Sequence, residues 1–346
     1  MQAADLVKLD TAQIRAMTTA QIRALSTDVQ VPALLSTQIN AMTTTQVAAL
    51  SNAQATALST LQAANLSSVQ VAALTTGAIA AMDVADVTAL STSAVAAMST
   101  DQIRALTTGE NGQIAGLTSA QVSNLKTAQV AALTTAQIQA IDTSDFAVLN
   151  TTAFVALTTA QVAAFTTAQI VAITTDQAGV ITSKQAAALD ATNISTLQTD
   201  DLVLLSTSAV AALTTAQVDG LSTTQVAALT TDQVNALKAT QVVALSSADI
   251  TALTTLQVQN LGTTQAKALT TAQIGGLQTA DLAVMNTTAV AALTAEVIPV
   301  LTTNQIVALT TSQLDALGVS QVNALTALQT AAINAVSTAQ ISLLYN

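Results

Sequence analysis

The side chains in this chain that could do chemistry are nearly all carboxylates. There is no His and no Cys, so the parts for Ser–His–Asp or Cys–His catalysis and for His/Cys zinc sites are missing. What remains is the adjacent pair Asp200 and Asp201 in QTDDLVLL, and Glu110, set between glycines in TTGENGQIAGL. Two close acids sharing a proton are a general acid–base device, and a loop glutamate is a cation ligand. Both have plainer readings: Asp200 and Asp201 as exposed residues of a helix cap, Glu110 as part of a solvated turn. No GxxxxGK or GxGxxG phosphate loop is present, nor the glycine-rich nonapeptide that binds calcium. The expectation is therefore no catalytic residue, no cofactor-binding residue and no metal site.

Composition narrows the class further. The net charge of −11, with only eight Lys plus Arg, gives no basic footprint for DNA or RNA. Hydrophobic residues make up 51% of the chain but aromatics only 1%, so the interior must be built from aliphatic side chains. Mean hydropathy is high at +0.55. Even so, Thr, Ser or Gln interrupts every stretch well before the roughly 18 apolar residues of a membrane span, and no transmembrane segment is expected. The start, MQAADLVKLD, lacks the basic and apolar regions of a cleavable signal peptide.

Stepping outward from these residues, the elements that would have to position them are copies of one phrase. The consensus is T-T-x-Q-(V/I)-x-A-L. With the large aliphatic residue placed eighth, units end at Leu9, Met17, Leu25, Leu34, Met42 and Leu50, and the eight-residue spacing is unbroken from Leu117 to Ile333. This reads as one octapeptide-repeat solenoid over residues 2–344, of about 42 units, with irregular units at 26–34, 107–117, 294–301 and 334–344. Positions 3 and 6 vary most and carry Arg15, Arg23, Arg104, Lys184 and Lys267, which marks them as the outer face.

Apolar positions 5 and 8 are three apart, a helical spacing, and adjacent apolar positions 7 and 8 break strand alternation. Position 1 is mostly Thr, Ser, Asp, Asn or Gly, and Gln or sometimes Asp follows three residues later. That is a capping box, flanked by a hydrophobic staple from the preceding Leu to the Val or Ile at position 5. Each octad thus predicts a helix of about six residues and a turn of about two. Burying one Leu and one Val does not offset the ordering of eight residues, so a single unit cannot fold and stacking is required. With no 16- or 24-residue alternation, the predicted architecture is all-α: a continuous spiral of short capped helices, with about three octads per coil. The alternative is a β-helix, which Val, Ile and Thr would favour and Ala and Gln would not.

A variant pair of octads recurs as DVADVTALSTSAVAAM from Asp83, DTSDFAVLNTTAFVAL from Asp142, QTDDLVLLSTSAVAAL from Gln198 and QTADLAVMNTTAVAAL from Gln278. Position 4 becomes Asp in the first octad (Asp86, Asp145, Asp201, Asp281) and Ala in the second. Two readings stand: equivalent contact points along one face, or block duplication during repeat expansion. Pro32 and Pro299 sit at position 6 of atypical units, where proline distorts a helix.

The phrase LTTAQVAALTTAQI resembles the Ala/Thr-rich LTxxQ octapeptide stretches of very large bacterial surface and adhesin-like proteins, over essentially the whole chain. The resemblance implies a secreted or surface-displayed protein exported without a cleaved N-terminal signal. Some related sequences carry haem-utilisation labels, but with no His, no Cys and Tyr345 as the only tyrosine, haem binding is not expected here. The functional expectation is a structural, non-catalytic stalk, spacer or self-assembling filament or layer subunit, whose main partner is itself. The alternative is a module that binds ice or a polysaccharide surface through Thr columns.

Overall fold

The computed structural model describes residues 2–109 and 111–344, so Glu110 and Tyr345 lie outside the described residues. Among the described residues there are 38 α-helices, two short 3-10 helices and no strand. The chain is all-α, and the β-helix alternative falls. Two compact units are formed, Met1–Val180 and Ile181–Asn346, and each is a solenoid of short helices.

The unit around Gln46 shows why each helix starts where it does. Thr43, with φ −70° and ψ 159°, precedes the helix Thr44–Ala48. Its hydroxyl accepts from the Gln46 N–H at 3.3 Å, while Gln46 Oε1 accepts from the Thr43 N–H at 2.8 Å. This reciprocal exchange is the predicted capping box. Successive helices are joined by two extended residues, as at Met82 (ψ 143°) and Asp83 (ψ 153°). No left-handed residue is used in these links; among the described residues only Gly109 has positive φ. Position 8 can therefore be a large aliphatic residue instead of a C-terminal glycine, and it turns into the core.

Packing joins octads that are far apart in sequence. The helix Thr76–Ala81 lies on Asn52–Thr56, and Thr223–Ala228 lies on Ser247–Ala252, each three octads away. Side-chain bonds also reach the fourth octad, so a coil holds between three and four octads where about three were expected. Positions 5 and 8 line the interior, as Val226, Leu229, Ile250 and Leu253 do. Phe146, Phe154 and Phe165 meet there, with ring centroids 5.0–6.2 Å apart and Phe146 edge-on to both neighbours.

The long units 26–34 and 107–117 absorb their extra residues without losing the cap exchange. In 26–34, Ser26 N–H donates to Gln30 Oε1 at 2.9 Å across four residues in place of three. In 107–117 the same exchange spans six: Thr107 N–H to Gln113 Oε1 at 3.0 Å and Gln113 N–H to the Thr107 hydroxyl at 3.1 Å. The chain returns through Gly109 (φ 113°) and Gly112, where a Cβ would sit 2.6 Å from the Thr108 carbonyl carbon. In 294–301, Pro299 lies in the 3-10 helix Ile298–Val300, and Pro32 sits in the four-residue helix Gln30–Ala33.

Two features differ from expectation. Unit 190–197 was expected to be regular, yet Asn193 stands where Gln would, and the segment is a 3-10 turn, Ile194–Thr196. At the other boundary, the unit expected at 334–344 is replaced by an 18-residue helix, Ala327–Leu344. Residues 331–336, AAINAV, contain no Thr, Ser or Gln, so no cap exchange is made there and the Ala-rich stretch continues as helix.

Candidate functional site

The polar side chain that recurs inside most octads is Gln at position 4, and its two ends do different work. Oε1 closes the cap of its own octad. Nε2 donates to two carbonyls of the octad four units earlier, at positions 5 and 8. Gln46 Nε2 reaches Ile14 O at 2.8 Å and Met17 O at 2.7 Å. Gln137 reaches Ile103 O and Leu106 O, both at 2.8 Å. Gln233 reaches Leu202 O at 2.9 Å and Leu205 O at 2.8 Å. Those carbonyls are the orphans of a short helix's C-terminus, and an amide is the neutral group that can accept at one end and donate at the other. These glutamines are buried, Gln46 to 2% exposure.

Each half of the cap can stand alone: Thr75, Ser91, Asn150, Ser206 and Asn286 accept from the N–H of an Ala at position 4. Leu35, Lys126, Lys238 and Gly318 stand at position 1 without a capping side chain, yet each N–H still donates to the Gln oxygen, at 2.7–2.9 Å.

Position 4 is where the sequence reading needs correction. Asp200 and Asp201 were both expected to be exposed cap residues. Asp200 is exposed, but Asp201 is only 3% exposed. The two carboxylates point to opposite environments and make no acid–base dyad. Burial, with Asp200 beside it, holds the Asp201 carboxyl above the ordinary aspartate range. Asp86, Asp145 and Asp281 are buried in the same way, so the variant octads do not present these carboxylates as contact points on an outer face. Glu110 lies outside the described residues, and its reading as a turn or cation ligand stays an expectation.

Each buried Asp finds different company. The Ser119 hydroxyl donates to Asp145 at 2.5 Å and the Thr255 hydroxyl to Asp281 at 2.9 Å, both 26 residues upstream. Asp249 keeps the cap role, accepting from the Ser246 N–H at 2.8 Å. Asp190 is different: it is exposed, and the Thr192 hydroxyl and N–H bonded to it draw its carboxyl below the usual value.

The outward positions hold what was expected of them. Arg15, Arg23, Arg104, Lys184 and Lys267 are exposed. The Arg15 and Arg104 Nε groups reach across to Ala41 O (3.1 Å) and Ala132 O (3.0 Å). Among the described residues no group of three or more His, Cys, Asp or Glu could hold a metal, and no helix is long and apolar enough to cross a membrane. A groove of about 520 Å³ runs between Ile333 and Val336 of the terminal helix and Val307, Thr310 and Leu314. Asp315 is the ionisable side chain of its lining, and one acid on an apolar wall assembles no chemistry.

The amide ladder has a signal in the sequence that capping alone does not account for. A capping box accepts Glu as well as Gln, yet the chain has only two Glu, Glu110 and Glu296, and neither is at position 4. That bias requires a donor as well as an acceptor.

No curated protein and no solved structure matches the chain. A family model described as the ALTTAQ repeat matches at residues 1–34, 79–109, 110–142, 138–175, 194–231, 220–247, 242–279, 274–311 and 298–327. Those stretches include the octads of Gln137 and Gln233, whose amides cap one helix and tie down another. Since they span well over half of the sequence, the chain belongs to the ALTTAQ repeat family.

Proposed function

We propose that this chain is a structural, non-catalytic protein, secreted or displayed at a bacterial cell surface, that serves as a stalk, spacer or self-assembling subunit. One observation carries the reading. The glutamine amides that would serve recognition elsewhere are committed to the backbone, while the outer face is poor in charge and studded with aliphatic side chains. Leu61, Val69, Leu256 and Val319 are each at least 60% exposed, on a chain with only 8% charged residues. Such a surface has little to keep neighbouring copies apart. The cell-surface part rests on likeness to the LTxxQ octapeptide stretches of surface proteins.

Electron microscopy and sedimentation of the purified chain over a concentration series test the assembly. Filaments or sheets that grow with concentration are the expected result. A species that stays monomeric at the highest concentration removes self-assembly and leaves the spacer role.

A second reading keeps one observation in its favour. The cap uses the position 1 hydroxyl, whereas position 2 threonines such as Thr44, Thr223 and Thr263 are exposed, leaving hydroxyls free to meet ice or a polysaccharide. Absence of thermal hysteresis eliminates ice, and absence of retention on immobilised polysaccharide eliminates the other ligand.

A further inference from the structure

Between the coil that contains residues 43–66 and the one that contains residues 75–98, the glutamine ladder stops for three octads in succession. Position 4 is Ala78, then Asp86, then Ala94. In regular units the amide nitrogen at this place lies within about 3 Å of two carbonyls, as Gln121 Nε2 does with Val87 O (3.0 Å) and Leu90 O (2.8 Å). By that register, the carbonyls facing the Asp86 octad belong to Ala55 and Leu58. A carboxylate there offers only acceptors to acceptors.

Asp86 is 2% exposed, and its Oδ2 is buried with no hydrogen-bond partner. Asp86 differs from the other buried aspartates in its second oxygen. The Thr60 hydroxyl is bonded to it as the Ser119 hydroxyl is to Asp145 and the Thr255 hydroxyl to Asp281, but among the described residues Asp86 Oδ2 is the buried side-chain oxygen left without a partner. The following octad brings no donor: the Ser91 hydroxyl is shared with Ser93 and the Ala94 N–H.

No cation compensates. The segments around Asp86, namely Thr60–Ala64, residues 111–117 and Ser119–Ser123, contain no ionisable side chain. The charge beside it is Asp83, at the N-cap of its own helix, and is of the same sign.

We propose that Asp86 is a buried proton-binding site: the neutral acid, with its proton between carboxyl and carbonyl, stands in for the missing amide, and ionisation loosens this seam. Burial drives the carboxyl upward from the ordinary value of 3.8, the Thr60 hydroxyl bonded to it pulls the other way, and Asp83 adds to the rise. The sign follows. Between the unfolded value and the raised folded value, the folded chain holds the proton more tightly than the unfolded chain. Stability is therefore fully present below about pH 3.8 and is lost as pH rises through the folded value.

The test is amide hydrogen exchange, read by mass spectrometry on peptides covering residues 51–66 and 83–98, from about pH 4 to about pH 8 after correction for intrinsic rates. Wild type is compared with D86Q, which restores the ladder residue, and D86N, which is neutral at unchanged length. The expected result is a loss of protection with rising pH in these peptides of the wild type, absent from both variants. If one variant fails to fold, the other carries the comparison. Equal pH dependence in wild type and variant overturns the proposal. So does wild-type protection at high pH that returns on adding potassium or calcium chloride but not on adding choline chloride, because a metal ion would then occupy the place assigned to the proton.

Discussion

At the scale of the residue, glutamine at position 4 makes more of the fold than its size suggests. It closes one helix and satisfies the end of another, so changing it has two separable costs. Gln233→Ala removes the cap bond and the Nε2 bonds together but places only a methyl in the interior, as at the natural Ala209 and Ala289. Gln233→Glu keeps the acceptor for the Thr230 N–H but turns an acceptor-only carboxylate toward Leu202 O and Leu205 O. The expected order of stability in urea unfolding is wild type, then Ala, then Glu, with the Glu variant losing roughly 1–3 kcal/mol or more. Glu equal to wild type would mean that the Nε2 bonds contribute nothing. The cap was legible in the sequence because both of its partners lie three residues apart. The ladder was not, because its acceptors lie 28 and 31 residues upstream, as for Gln233, and that offset depends on how many octads close a coil. The burial of Asp201 was misread for the same reason: a residue treated only as a cap is expected in water.

At the scale of the element, the helix starts were written in full, and their failures are local too. Asn193 is one methylene shorter than Gln, and its unit tightens to a 3-10 turn. The insertion at 107–117 is the more informative case, since the cap exchange survives across it. Deleting residues 109–111 leaves Thr-Thr-Gly-Gln-Ile-Ala-Gly-Leu, an ordinary octad. The deletion is expected to fold with unchanged helical circular dichroism, and loss of the cooperative transition would show that the loop is needed. The Phe cluster behaves differently, because it fills space that Val and Leu fill elsewhere. Phe146→Ala is expected to cost about 3–5 kcal/mol, read by the same urea titration, and an effect below about 1 kcal/mol would mean that the neighbouring rings collapse into the gap.

At the scale of the whole molecule, charge does little of the work. Among the described residues one ion pair is present, Lys8 with Asp5 at 4.0 Å, and both side chains are exposed. Surface pairs of this kind contribute little, so the melting temperature is expected to move only slightly between low salt and about 0.5 M NaCl. A large rise would point to repulsion among the acids as a destabilising force that the local contacts do not reveal. The all-α solenoid class was readable from period and capping together. The number of octads in a coil was not, because it is set by how aliphatic side chains of slightly different size meet across the interior.

The uniform eight-residue step has a consequence for how such a chain can change length. Along a regular stretch of the ladder, each amide meets a carbonyl pair that any other regular unit would present equally well. Gain or loss of one whole octad there renumbers each downstream partnership and leaves none of them unmet, so the stretch is tolerant of slippage in copying. Close-fitted pairs are the exceptions. Gly116 suits Val84, whose Cγ1 would overlap any Cβ placed there; displacing it by one octad brings Ala105 or Asn124 against Val84 instead. These irregular positions are therefore the ones that keep the tally of repeats, in a molecule whose regular positions cannot count.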